Sequence, residues 1–139
     1  MQLKTDYPSK VIIAWGEAIS GNNEIRDWLI RSGYPELGLF CFALRNDQSS
    51  RDWLLQNGFP HLMALINGSE GNPNAVFWLR KNDLDIMGYM ARAADNDENA
   101  AMWLIENGYR EWGVIAEKMR LVKNQIEFDN NDVHKFSTD

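Results

Sequence analysis

The sequence predicts an all-α protein, an α-solenoid (alpha-alpha superhelix) of antiparallel helical hairpins, and three observations carry the prediction. Trp28, Trp53, Trp78 and Trp103 stand 25 residues apart, and each is followed by a leucine: Leu29, Leu54, Leu79 or Leu104. A self-similar period of about 20–50 residues is what a stack of like supersecondary units produces. Each tryptophan also lies between a helix-capping residue and a helix-stopping one at fixed offsets, and a second apolar stripe starts directly after each stop. Two short helices per unit result.

The first element is expected at about residues 8–20. Moving the frame back by one period puts Ile12 under Leu37 and Ala18 under Ala43, so this stretch reads as a lone second helix, a half repeat that opens the array. Four units follow at about 22–46, 47–71, 72–96 and 97–122. In each, Asn22, Asp47, Asn72 or Asp97 stands six residues before the tryptophan and can accept hydrogen bonds from the free amides of a helix start. Pro73 follows Asn72 at the first helical position, where a missing amide hydrogen costs nothing.

The stops are Gly33, Gly58, Asp83 and Gly108. Glycine enters the left-handed conformation of a helix end without a Cβ penalty. Tyr34, Phe59, Leu84 and Tyr109 come next, placed to fold back on the leucine of their own unit in a Schellman-type contact. Pro35 and Pro60 then open second helices, so the turn shrinks to about two residues and the helices of a unit pack antiparallel.

The second-helix stripes are Leu37, Phe40, Cys41 and Leu44; Leu62, Leu65 and Ile66; Met87, Met90, Ala91 and Ala94; and Trp112, Ile115, Ala116 and Met119. These helices are expected to be the more deeply buried ones. The last meets no glycine stop and runs on through Val122 toward Ile126, so residues 1–128 read as one domain and the polar residues 129–139 as a frayed tail. The four periodic tryptophans are assigned to the structural core, and the units to a right-handed stack in which each touches chiefly its sequence neighbours.

Composition narrows function. The 20 acidic against 14 basic side chains give a net charge of −6, which repels polyphosphates and anionic lipid, and the basic residues are scattered among acidic ones. No nucleic-acid or membrane partner is expected, and no stretch approaches the roughly 20 apolar residues of a membrane span. The single cysteine, Cys41, forms no internal disulfide, and residues 1–6 lack a basic-then-apolar leader, so the expected compartment is the cytoplasm.

Chemistry-bearing constellations are sparse. Cys41 sits on an apolar stripe and reads as core rather than nucleophile. His61, in the first turn of a second helix, reads as a solvated imidazole; His134 lies in the tail. Asp95, Asp97 and Asn99 alternate like calcium ligands but lack the glycine and the distal glutamate of such a loop, and capping accounts better for Asp97. Asp83 and Asp85 straddle a hairpin turn, where Asp85 suits a helix start. No catalytic residue, cofactor site or metal site is assigned.

Two surfaces stand out. Before the tryptophan, the first two units carry Arg26-Asp27 and Arg51-Asp52, and the last two carry Val76-Phe77 and Ala101-Met102. Val76, Phe77 and Met102 are therefore candidate partner contacts, unless the C-terminal helix folds over them. The second candidate is the second-helix face of Leu39, Phe42, Tyr89 and Val114, where Gly38, Gly88 and Gly113 signal close approach of a neighbouring helix or of a ligand.

The segment Asn96-Asp97-Glu98-Asn99-Ala100-Ala101-Met102-Trp103-Leu104-Ile105-Glu106-Asn107-Gly108-Tyr109 resembles the helical part of an ankyrin repeat, a polar turn before a helix with an asparagine-glycine stop. With its shorter unit and no β-turn fingers, the chain is similar to an ankyrin-like or HEAT-like helical array. That resemblance implies a non-enzymatic scaffold mediating protein–protein interaction. The acidity suits a basic partner, and weak self-association is a further expectation. The alternatives are a small enzyme with an acidic pocket around Asp83, Asp85 and His61, and a nucleic-acid-binding helical array.

Overall fold

The computed structural model of the protein describes the backbone of residues 2–137 and the side chains of residues 2–131. Among these every regular element is an α-helix. A non-helical arm, residues 2–8, leads into α1 (Ser9–Ile19), α2 (Asn23–Arg31), α3 (Pro35–Leu44), α4 (Gln48–Gln56), α5 (Pro60–Ser69), α6 (Pro73–Lys81), α7 (Asp85–Ala94), α8 (Glu98–Glu106) and α9 (Arg110–Ser137).

Local chemistry sets the boundaries. The side chains of Asn22 and Asp47 accept from the amides of Ile25 and Ser50, at 3.2 and 3.1 Å. Asn72 and Asp97 do the same for Asn74 and Asn99, at 2.9 and 3.0 Å. At the other end Gly33, Gly58 and Gly108 have φ of 95°, 88° and 85°, and Asp83 takes the same left-handed turn at 61°. The amides of Tyr34, Phe59, Leu84 and Tyr109 then reach back to the carbonyls of Leu29, Leu54, Leu79 and Leu104 at 2.8–2.9 Å, the six-to-one bond of a Schellman motif.

The odd-numbered helices are the buried ones. In α5 only Pro60 and Asn67 escape full burial, whereas α2 buries Leu29 alone and α6 only Ala75 and Leu79. Each odd helix packs on the next, and α9 packs on α1, so these five helices form a closed circuit. This corrects the expectation that units touch chiefly their sequence neighbours. At the closing seam Trp15, 1% exposed, meets Trp112 edge-on with centroids 6.5 Å apart, and the Ser9 hydroxyl donates to Glu111 at 3.1 Å. The reason lies in α1 and α9 themselves, each of which has apolar surface left to bury beyond its contacts with α2 and α3 or with α7 and α8.

The periodic tryptophans are not the core. Leu29, Leu54, Leu79 and Leu104 are each 0% exposed, while Trp28 is 38% exposed and Trp53, Trp78 and Trp103 are half-buried. Ser50, Ala75 and Ala100 lie one turn before the later three leucines and are buried with them, so the i, i+4 line faces inward and the tryptophan, one residue off that line, lies at its edge. There it stacks on the turn: Trp53 on Phe59 with centroids 5.9 Å apart, and Trp103 on Tyr109 at 5.8 Å.

Close helix packing accounts for Gly38. A methyl there would run into Ile30 and stand 3.0 Å from the Arg26 carbonyl oxygen, so α2 lies against bare backbone. At Gly88 the neighbour is the flexible Arg80 stem, 3.2 Å away, and at Gly113 it is Leu104 at an ordinary 3.7 Å.

With no glycine or proline after Gly113, α9 continues through Ser137, over most of the stretch expected to fray. Residues 138 and 139 lie outside the described ones, as does the His134 side chain.

Candidate functional site

Short turns between antiparallel helices bring the starts of all five odd helices to one end of the molecule, where the N-terminal arm crosses them. Ser9 of α1 bonds Glu111 of α9, Lys4 meets Glu36 of α3 and His61 of α5, and Thr5 borders the first turn of α7. At the opposite end, basic side chains satisfy helix C-termini. Arg45 donates to the Ile19 carbonyl at 3.1 Å and Arg51 to the Ala43 carbonyl at 2.9 Å.

The crossing arm buries a polar cluster. His61 is 0% exposed, not solvated as expected, because the arm lies over the start of α5; its Nε2 is 2.7 Å from the Lys4 carbonyl oxygen. Burial lowers its pKa from the ordinary histidine value. Glu36, 2% exposed, accepts from the Tyr7 hydroxyl at 3.4 Å, and burial followed by the Glu36 charge pushes the Tyr7 pKa upward. The Lys4 ammonium stands 3.9 Å from Glu36 and 5.1 and 5.2 Å from the ring centroids of Tyr7 and Tyr34. Sequence reasoning missed this arm, since residues 2–8 carry no periodicity and the partners lie far along the chain.

Beside the arm opens a groove of about 540 Å³. The turn before α7 and its first residues supply Asp83, Asp85 and Met87; α8 supplies Trp103; the turn after α8 supplies Tyr109, and α9 supplies Trp112. Trp103 lies flat on Tyr89, with centroids 3.8 Å apart and planes within 6°. Such a pair contributes about 0.5–1.5 kcal/mol beyond area burial.

The other sequence candidates disperse. Val76 and Phe77 line a separate groove of about 310 Å³ with Gly68 and Pro73; Phe77 is 66% exposed, and Val76 is half-buried against Gly68. Met102 is 51% exposed. No described part of α9 covers Phe77 or Met102. Phe42 lies under the Arg26 guanidinium at 4.3 Å, Leu39 is half-buried, and Tyr89 alone of that face lines the large groove.

The constellations weighed for chemistry do not assemble. Asp83 and Asp85 share the groove, but His61 does not line it. Cys41 is 4% exposed, and burial pushes its thiol up to about 12. Asp95 pairs with Lys123 at 2.8 Å and Asp97 caps α8, its carboxyl held low first by the Ala100 amide. Among the described residues no group of three or more histidine, cysteine or carboxylate side chains is placed to hold a metal ion, and no helix is long and apolar enough to cross a membrane.

No family model, characterised protein or solved structure matches the chain.

Proposed function

We propose that the chain is a non-enzymatic helical-repeat scaffold, ankyrin-like or HEAT-like in the manner of an α-solenoid, that holds another protein in the cytoplasm. One observation carries the reading. The outer helices α6 and α8 present Phe77, Met102 and Ile105 to solvent at 66%, 51% and 49% exposure, at positions where α2 and α4 carry Asp27 and Asp52 in place of Phe77 and Met102. Large apolar side chains left bare on successive outer helices are candidates for burial against a partner.

The net charge of −6 favours a basic partner and speeds its approach. Light scattering coupled to size-exclusion chromatography, followed by affinity capture and identification of what is held, tests the reading with wild type and Phe77→Asp. The expected result is a defined complex, or a dimer, that the substitution abolishes at unchanged helicity. A monomer that captures the same proteins in both forms would remove this surface from the account.

A further inference from the structure

We propose that the groove walled by Trp103, Tyr109 and Trp112 binds a lysine or arginine side chain from an extended basic segment of the partner protein. The inference rests on the scaffold reading and names the chemistry of what the scaffold holds.

The protein's own arm supplies the template. Lys4 belongs to a non-helical segment crossing the helix starts, and its ammonium lies over the rings of Tyr7 and Tyr34 with the Glu36 carboxylate 3.9 Å away. Aromatic faces beside a carboxylate are what a partly desolvated cation needs. The groove repeats these elements. Tyr109 takes the place in its hairpin that Tyr34 takes in the first, each bonding back to its leucine carbonyl, at 2.8 and 2.9 Å. Trp112 supplies a further ring, Trp103 backs the wall by stacking on Tyr89 and Tyr109, and Asp83 and Asp85 supply carboxylates.

Neither aspartate has a cation within ion-pair distance among the described residues. Arg80 also lines the groove, with its stem against Gly88, and the lining still carries one more negative than positive charge. Thr5 lies on the same wall, so an incoming segment would run beside the arm.

The test is a tryptophan-fluorescence titration of the full chain with an acetylated, amidated Gly-Arg repeat hexapeptide, against Gly-citrulline and Gly-Glu repeats of equal length. Two double variants remove the same charge: Asp83→Asn with Asp85→Asn in the groove, and Asp27→Asn with Asp52→Asn outside it. Asparagine tolerates the positive φ at position 83. Saturable binding of the Gly-Arg peptide alone, weakened about tenfold by the groove pair and less than about twofold by the distant pair, is expected. Equal weakening by both pairs, binding of the acidic or citrulline peptide as tight as that of the basic one, or no saturable binding overturns the assignment. If the peptide fails while Phe77→Asp still abolishes capture, the scaffold reading stands and the groove assignment falls.

Discussion

His61 donates from Nε2 to the carbonyl oxygen of Lys4 across 2.7 Å, and this bond ties the start of α5 to the N-terminal arm. A carbonyl only accepts, so the hydrogen of the neutral ring is on Nε2, and Nδ1 is left buried without a partner. Protonation would place a charge and an unmet donor on that nitrogen. Burial lowers the folded-state pKa below 6.5 against the opposing pull of the Lys4 bond, so the stability of the packed neutral ring is complete above that value and is lost as pH falls through the window beneath it. Urea midpoints at about pH 8 and about pH 5 should therefore separate more for wild type than for His61→Gln. An equal separation would show that the histidine does not sense pH.

Leu54, and not Trp53, is the core member of its unit. Leu54 is 0% exposed, so Leu54→Ala should cost about 2–5 kcal/mol through lost burial and a residual cavity. Trp53 is half-buried and stacked on Phe59, so Trp53→Ala should cost less, about 1–2 kcal/mol. Thermal or denaturant melting of the two variants decides it, and a larger loss for the tryptophan would return that residue to the core.

Two glycines at like positions in their helices should respond with opposite signs. Gly113→Ala adds a methyl at ordinary contact with Leu104 and should stabilise by up to about 1 kcal/mol through helix propensity. Gly38→Ala drives the methyl into Ile30 and the Arg26 carbonyl and should destabilise by about 1–3 kcal/mol. Both are read from denaturant midpoints, and a stabilising Gly38→Ala would mean that α2 stands off from α3.

Closure of α9 on α1 predicts how the molecule opens. In a linear array the end helices exchange their amide hydrogens first. Here α1 and the stretch of α9 from Arg110 to Met119 are held by each other, so their amides should be protected to within about 1 kcal/mol of those in α5. Early exchange at either end would indicate an open seam.

Much of the helical layout was legible because it is written locally. Asn22, Asp47, Asn72 and Asp97 cap where they stand, and the positive-φ stops follow from Gly33, Gly58 and Gly108 without knowledge of any distant contact. Asp83 was readable only from its place in the series, since aspartate by itself does not require a left-handed turn. The burial of Leu54 over Trp53 escaped the pattern, because a periodicity that includes both cannot say which points inward. The groove was half visible: Asp83 and Asp85 were singled out, yet their meeting with Trp103, Tyr109 and Trp112 depends on how α7, α8 and α9 pack. The arm over His61 and the seam of Trp15 with Trp112 join residues whose neighbours in sequence give no hint of one another.

That seam also sets the size of the molecule. A linear stack can lengthen or shorten by duplicating or deleting a hairpin, since each end is free. Here a duplicated hairpin between α1 and α9 would part Trp15 from Trp112, and a deleted one would crowd them. Variation in length is then left to α9 beyond its contacts with α1 and α7, so lineages carrying this fold should differ there and agree in their number of hairpins.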